Sequence, residues 1–277
     1  MTLDPSLVDS LTEAALTAGR VVMEVYGGDI AVVSKADRSP VTLADERAER
    51  SILADLARLL PDATVVAEEQ VAGGHVPADL GARFVLVDPL DGTKEFISRN
   101  GEFTVNIAVI EGGRPVVGIV HAPALGDIYV GVVGRGARRG RIGADGGVDW
   151  CDIAVRPVPA AGLVVLASRS HAGPETEALL THLAVAQRVS AGSSLKFCRV
   201  AAGEADLYPR LGRTMEWDTA AGDAVLTAAG GRVARVDGAP FVYGKRDQET
   251  DVDFANPWFL ASGSDAALDA AVAAVAK

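Results

Sequence analysis

Cysteine is nearly missing from this chain: two residues, Cys151 and Cys198, in a length of 277. They are far apart and form no C-x-x-C pair, so neither a disulfide framework nor a thiolate zinc site is expected. Two unpaired thiols suit a reducing compartment, and a soluble cytoplasmic protein is the expectation. Histidine is also sparse, with four residues and no H-x-x-x-H or H-E-x-x-H spacing, which disfavours a zinc hydrolase. Positive charge is in deficit: 26 Lys and Arg against 37 Asp and Glu leave a net charge of −11. Nucleic-acid binding needs basic surface to displace counterions, so it is not expected here. Small anionic ligands stay open, because a phosphate needs only local donors or bridging cations. No apolar run reaches the length of a membrane span, so no integral membrane segment is expected. The start, M-T-L-D-P-S-L, lacks the basic flank of a signal peptide. There is no G-x-x-x-x-G-K-[ST] for a nucleotide P-loop and no G-x-S-x-G for a serine esterase.

What is present is an ordinary globular composition, 49% hydrophobic and 23% charged, enough for a sizeable core. Residues 5–26 repeat apolar positions at helical spacing, with Asp4 as N-cap, Pro5 at the first helical position and Gly27-Gly28 as the stop. A short β-prone run at 30–34 and a polar loop at 35–40 follow. Thr42 opens a second helix that Pro61 ends. Asp45 in its first turn suits compensation of the helix dipole. Residues 64–67 form a strand ending in Glu68-Glu69, and 71–82 form a mobile loop. A buried strand at 84–87 should turn at Pro89. Strands at 104–111, 115–121 and 127–133 come next, the first two joined as a hairpin through Gly112-Gly113. The basic, glycine-rich stretch 134–147 is expected to be a solvated turn, with phosphate contact as the lesser alternative.

Pro157 and Pro159 mark a junction. Beyond it strands alternate with helices: strands at 163–167, 187–190, 205–208 and 232–236, helices at 174–183, 194–202 and 219–229. This rhythm implies an α/β half after an antiparallel α+β half whose helices lie on one side. The expected division is 1–155 and 156–277. Asp218 falls at the N-cap of the helix at 219–229, where capping stabilises by about 1 kcal/mol.

Carboxylates recur at the ends of these elements: Asp45, Glu68, Asp88, Asp91 and Asp218. Hard oxygen donors of this kind suit Mg²⁺ rather than zinc. Clustered carboxylates with Mg²⁺ point to phosphoryl transfer, in which the ions neutralise charge and clamp oxygens. Thr93, within reach of Asp45, would orient the water. A D-x-x-D pair alone is common in surface loops, so spacing by itself does not name a reaction.

D-P-L-D-G-T at 88–93, E-E at 68–69 and W-D-T-A-A-G at 217–222 together resemble the inositol monophosphatase superfamily of Mg²⁺-dependent, lithium-sensitive phosphatases. The resemblance spans nearly the whole chain in order. Within it, K-E-F-I-S-R-N-G-E-F-T-V-N at 94–106, A-S-R-S-H at 167–171 and G-S-S-L-K…Y-P-R at 192–210 resemble the 3′(2′),5′-bisphosphate nucleotidase branch. The resemblance implies a layered αβαβα sandwich with the site between its halves. It implies two or three Mg²⁺ ions on Glu68, Asp88, the Leu90 carbonyl, Asp91 and Asp218. It implies Thr93 and Asp45 as the water-activating pair, and the backbone of Gly92 and Thr93 as the contact to the scissile phosphate. Ser193 or Ser194, Lys196 and Arg210 are implied near the nucleotide and its second phosphate, with His171 and, at the third-metal or water site, Asp37 as weaker candidates. The implied reaction is removal of the 3′-phosphate from adenosine 3′,5′-bisphosphate to give AMP, in sulfur assimilation and nucleotide recycling, by a monomer or homodimer. The alternatives are an inositol-phosphatase-like or broad sugar-phosphate phosphatase and, more remotely, an inactive nucleotide-binding regulator. The segment 243–254 is more charged than the family pattern, so base preference is open there.

Overall fold

In the computed structural model the described residues are 4–28, 32–34, 40–168 and 173–275. The chain begins with α1 (Pro5–Tyr26), β1 (Val32–Ser34), β2 (Pro40–Thr42), α2 (Leu43–Leu59), β3 (Thr64–Ala67) and α3 (Glu68–Ala72). Next come β4 (Arg83–Asp91), α4 (Thr93–Ile97), β5 (Thr104–Glu111), β6 (Arg114–Ala122), β7 (Asp127–Val132), β8 (Gly136–Ile142) and β9 (Val148–Ile153). Then follow β10 (Leu163–Ser168), α5 (Pro174–Thr181), β11 (Val185–Ala191), α6 (Leu195–Ala201) and β12 (Leu207–Arg210). The chain closes with α7 (Ala220–Ala228), β13 (Arg232–Arg235), β14 (Phe259–Ser262) and α8 (Asp265–Val275).

Local chemistry starts the first two helices where the sequence implies. The Asp4 carboxylate accepts the Ser6 N–H at 3.1 Å ahead of Pro5. Thr42 and Asp45 form a reciprocal capping box at the start of α2.

Strands β3 to β9 form a seven-stranded sheet in sequence order, parallel between β3 and β4 and antiparallel after that. The second sheet runs β11-β10-β12-β14-β13, parallel around β10 and antiparallel around β14. Alternation along the strands sorts the core into three clusters. Val85, Val87, Val105, Ile107 and Val109 face α1 and α2. Phe84, Leu86, Ala108 and Ile110 face the opposite way, onto α6 and α7, whose Phe197, Ala221 and Val225 also meet Tyr208 and Phe259 of the second sheet. Val165, Leu207 and Leu260 pack outward with Leu179, Leu180 and Leu268 of α5 and α8. The layers are therefore α, β, α, β, α, as the resemblance implies. Helix α7 lies so close to the large sheet that a Cβ on Gly118 would stand 2.2 Å from the Ala221 carbonyl oxygen. Glycine is required there by space.

Several expectations are corrected. The large sheet has one parallel pair, and helices from the second half cover its other face. Strand β4 does not end at Val87 but continues through Pro89 to Asp91. The basic stretch is no turn: it contains β8, whose Arg139 bonds Asp127 at 2.9 Å and Glu204 at 3.1 Å and whose Arg138 bonds Asp9 at 3.1 Å. These acids all lie outside the stretch, Asp127 on the neighbouring strand and Asp9 and Glu204 far away in sequence, which is why local charge alone suggested solvent. Helix α3 occupies the first two residues of the expected loop at 71–82. Strands β2, β9 and β14, helix α8 and the short helix α4 were not anticipated.

Candidate active site

Asp88 and Asp91 are three residues apart, a spacing that points side chains to opposite faces of a regular strand. A bulge between them changes this: Asp88 pairs with Asn106 and Asp91 with Thr104. Those partners are two apart on β5, so both carboxylates share the face that Leu86 and Ala108 line deeper in the sheet. The apolar inner face of β4 and β5 thus becomes polar at its end, beside the central helices.

Each of three aspartates fixes one oxygen with a backbone N–H. Asp88 Oδ1 accepts from Leu90 at 3.0 Å, Asp91 Oδ2 from Ser194 at 2.6 Å and Asp218 Oδ2 from Met215 at 2.8 Å. Among the described residues the other carboxylate oxygen of each receives no hydrogen bond. Asp218 does not cap α7. The N-cap is Thr219, one residue later, and the Asp218 carboxylate turns back to the Met215 N–H instead. Glu68 stands at the start of α3, after β3, whose neighbour β4 runs parallel to it. The next N–H, of Glu69, donates to buried Glu49 on α2 at 2.7 Å.

These carboxylates feel one another. Burial, reinforced by the charges of Glu68, Asp91 and Asp218, pushes the Asp88 carboxyl well above the usual range. Burial and the charges of Asp91 and Glu68 do the same to Asp218. Asp91 is raised by burial, and the Lys196 charge and the Ser194 hydrogen bonds oppose the shift. Such a cluster is short of positive charge. Among the described residues no three His, Cys, Asp or Glu side chains close into a finished cage. A free oxygen on each aspartate, hard donors throughout and uncompensated negative charge nevertheless fit Mg²⁺, which keeps several waters and needs few protein ligands.

Thr93 opens α4 after Gly92, whose φ of 92° lies in the left-handed region. Its hydroxyl lies 3.4 Å from Asp45 Oδ1 and 3.4 Å from the Leu90 carbonyl. Asp45 therefore serves the capping box with Oδ2 and faces Thr93 with Oδ1.

Lys196 and Arg210 lie behind the carboxylates, both buried. The Lys196 ammonium donates to the Ser193 carbonyl at 2.7 Å and the Ala191 carbonyl at 3.3 Å, over the Tyr208 ring. Burial brings its pKa down to about 8, against the pull of Asp91. Arg210 donates one bond, to the Arg213 carbonyl at 3.0 Å, and its buried Nε has no partner among the described residues. Ser193 adopts φ 48° and shares a 2.6 Å hydrogen bond with Thr104. Ser194 is buried against the aspartates. His171 and Asp37 lie outside the described residues. The charged segment 243–254 docks on buried Glu216, which accepts the N–H groups of Gly244 and Lys245 at 2.7 and 2.9 Å and pairs with the Lys245 ammonium at 2.6 Å. Glu49, Glu216, Thr104 and Asn106 were not singled out from sequence. The alternation E-x-T-x-N at 102–106 was the available signal for the last two.

The sequence matches the inositol monophosphatase family over residues 4–268. It is 45% identical over 258 residues to the 3′(2′),5′-bisphosphate nucleotidase CysQ of Escherichia coli strain K12, covering 92% of this chain and 99% of that protein. It is 34% identical to the protein of the same name from Buchnera aphidicola, covering 92% and 93% of the two chains. The fold is similar to the crystal structure of CysQ from Bacteroides thetaiotaomicron, a bacterial member of the inositol monophosphatase family. The TM-score is 0.75, with 35% identity over 94% of this chain and 98% of that one.

Proposed function

This chain belongs to the inositol monophosphatase family, and on that premise we propose that it is a Mg²⁺-dependent 3′(2′),5′-bisphosphate nucleotidase. It hydrolyses the 3′-phosphate of adenosine 3′,5′-bisphosphate to AMP and inorganic phosphate. The similarity to nucleotidases over nine-tenths of the chain supports the activity. The observation that carries the substrate is the buried cation pair: Arg210 keeps an unpartnered Nε, with Lys196 close by, next to the carboxylate cluster. A substrate with a second phosphate provides the acceptor that this nitrogen lacks.

Glu68, Asp88, the Leu90 carbonyl, Asp91 and Asp218 would hold two or three ions. When bound, the ions neutralise phosphate charge and ease deprotonation of water. The chain's own groups do the rest. The N–H groups of Gly92 and Thr93 orient the scissile phosphate. The Thr93 hydroxyl accepts from the attacking water while donating to Asp45 Oδ1, which takes up the proton. The 3.4 Å separation is long, as such contacts often are before substrate binds. The bond from water oxygen to phosphorus forms, the bond from phosphorus to the ribose 3′-oxygen breaks, and that oxygen is protonated from solvent. Ser193, Lys196 and Arg210 hold the nucleotide and its other phosphate, with His171 as a further contact.

None of the described helices is long and apolar enough to cross a membrane. Buried Cys198 and exposed Cys151 are both free thiols, which supports the cytoplasm as the working compartment. Chromatography of the product tests the assignment. The expected nucleotide is AMP; release of adenosine 3′-phosphate would place the scissile group at the wrong end.

A further inference from the structure

Two stretches that the resemblance ties to substrate, 102–106 and 192–194, hold each other. Glu102 Oε2 accepts the Gly192 N–H at 2.9 Å. Thr104 and Ser193 share a hydroxyl hydrogen bond at 2.6 Å. Asn106 Nδ2 donates to Ser194 Oγ at 3.0 Å. Alternate residues just before and at the start of β5 therefore grip three consecutive residues ahead of α6. The approach is close: a Cβ on Gly192 would stand 2.5 Å from the Glu102 carbonyl oxygen.

The last rung of this ladder reaches the carboxylates. The Ser194 N–H donates to Asp91 Oδ2 at 2.6 Å. Its hydroxyl lies 2.7 Å from the Asp218 carbonyl oxygen and 3.1 Å from Asp91 Oδ2. Asp91 ends a strand of the large sheet, and Asp218 precedes α7, more than a hundred residues later. The Ser194 hydroxyl touches both, meeting the Asp91 carboxylate and the Asp218 backbone carbonyl. It is 1% exposed, so its side chain is committed to these contacts rather than turned to a ligand. Asn106 keeps a buried Oδ1 with no partner among the described residues. An unpaired buried acceptor costs stability, so stability alone does not explain an amide there.

We infer that Ser194 and Asn106, seated by the Thr104–Ser193 rung, are positioning residues that set the spacing between Asp91 and Asp218 and thereby the affinity for Mg²⁺. This rests on the ligand assignment proposed above. A shift of the 192–194 segment by one residue would present the wrong N–H to Asp91 and detach Asp218. Groups that orient metal ligands typically govern affinity by 10–100-fold.

Calorimetric titration of the metal-free protein with Mg²⁺ alone tests this, alongside melting curves without metal. Ser194→Ala is expected to weaken Mg²⁺ binding by about 10-fold or more. Asn106→Leu is expected to weaken it in the same direction, and the double variant to be no weaker than Ser194→Ala, because both act through one hydroxyl. At saturating Mg²⁺ the KM for adenosine 3′,5′-bisphosphate stays at the wild-type value. Should Ser194→Ala not fold, Thr104→Val, which is isosteric and removes only the hydroxyl bond to Ser193, takes its place and is expected to weaken Mg²⁺ binding. Unchanged Mg²⁺ affinity in the folded variants overturns the inference, as does additivity in the double variant. A raised KM with unchanged Mg²⁺ affinity also overturns it, by making Ser194 a substrate contact. If wild-type protein takes up no Mg²⁺, the ligand assignment itself fails. If only the substrate assignment is wrong, the titration still stands, because it contains no nucleotide.

Discussion

Thr93 Oγ1 and Asp45 Oδ1 face each other at 3.4 Å, one from the first turn of α4 and the other from the first turn of α2. A general base that acts through a positioned hydroxyl contributes about 10²–10⁴-fold to rate. Thr93→Val, which keeps the shape and removes the hydroxyl, is expected to lower kcat by about that factor with little change in KM. Steady-state kinetics at saturating Mg²⁺ check it, and a kcat within a few-fold of wild type removes the pair from the mechanism.

Asp218 links stability to metal. Its folded-state pKa is raised, so the folded chain binds protons more tightly than the unfolded chain. Stability from this group is therefore present at low pH and lost as pH rises through the ordinary aspartate range toward the folded value. Without metal the raised pKa costs the fold stability at any pH above the ordinary aspartate range, because the unfolded carboxyl ionises more readily. Asp218→Asn can still accept the Met215 N–H and carries no charge. It should melt higher than wild type in the presence of a chelator, gain nothing from Mg²⁺, and lose activity by at least about 100-fold. A lower melting temperature without metal contradicts this.

Arg210 gives a test of substrate contacts. A hydrogen bond to a charged partner contributes about 1.5–3 kcal/mol, so Arg210→Gln should lower kcat/KM for adenosine 3′,5′-bisphosphate by about 10–100-fold. Adenosine 3′-phosphate, which lacks the other phosphate, should be turned over nearly as well by the variant as by wild type. Equal losses on both substrates would assign Arg210 to the fold.

The D-P-L-D-G-T, E-E and W-D-T-A-A-G motifs made the carboxylates legible in sequence, and the layered fold came with them. How they meet was not legible. The bulge that brings Asp88 and Asp91 to one face depends on pairing with Thr104 and Asn106. Whether Asp218 caps α7 was settled by its contact with Met215, which helix signals do not report. Strand β8 was hidden because Arg138 and Arg139 find their acids outside the stretch itself, at Asp127 on the neighbouring strand and at distant Asp9 and Glu204. The motifs at 102–106 and 192–194 were each tied to substrate by resemblance. Only the fold shows that they bind one another.

His121 predicts an acid-sensitive step away from the site. It is buried, its Nδ1 donates to the Ala15 carbonyl at 3.0 Å, and its Nε2 has no partner among the described residues. Burial, with some help from Arg20, lowers its pKa to about 4. The unfolded chain binds the proton more readily, so stability is intact above the ordinary histidine value near 6.5 and falls as pH drops toward 4. The full loss is about 3 kcal/mol. Urea unfolding at several pH values should show this slope, and His121→Gln should flatten it across the window. An unchanged slope in the variant would clear His121 of the effect.

The central claim is that a metal-dependent site of this family here acts on a nucleotide with two phosphates. Its most direct test is kcat/KM for phosphate release, with and without Mg²⁺, on adenosine 3′,5′-bisphosphate, inositol 1-phosphate and fructose 1,6-bisphosphate in parallel. The expected result is strong preference for the nucleotide, abolished by chelation. Preference for either sugar phosphate, or turnover that survives chelation, would contradict it.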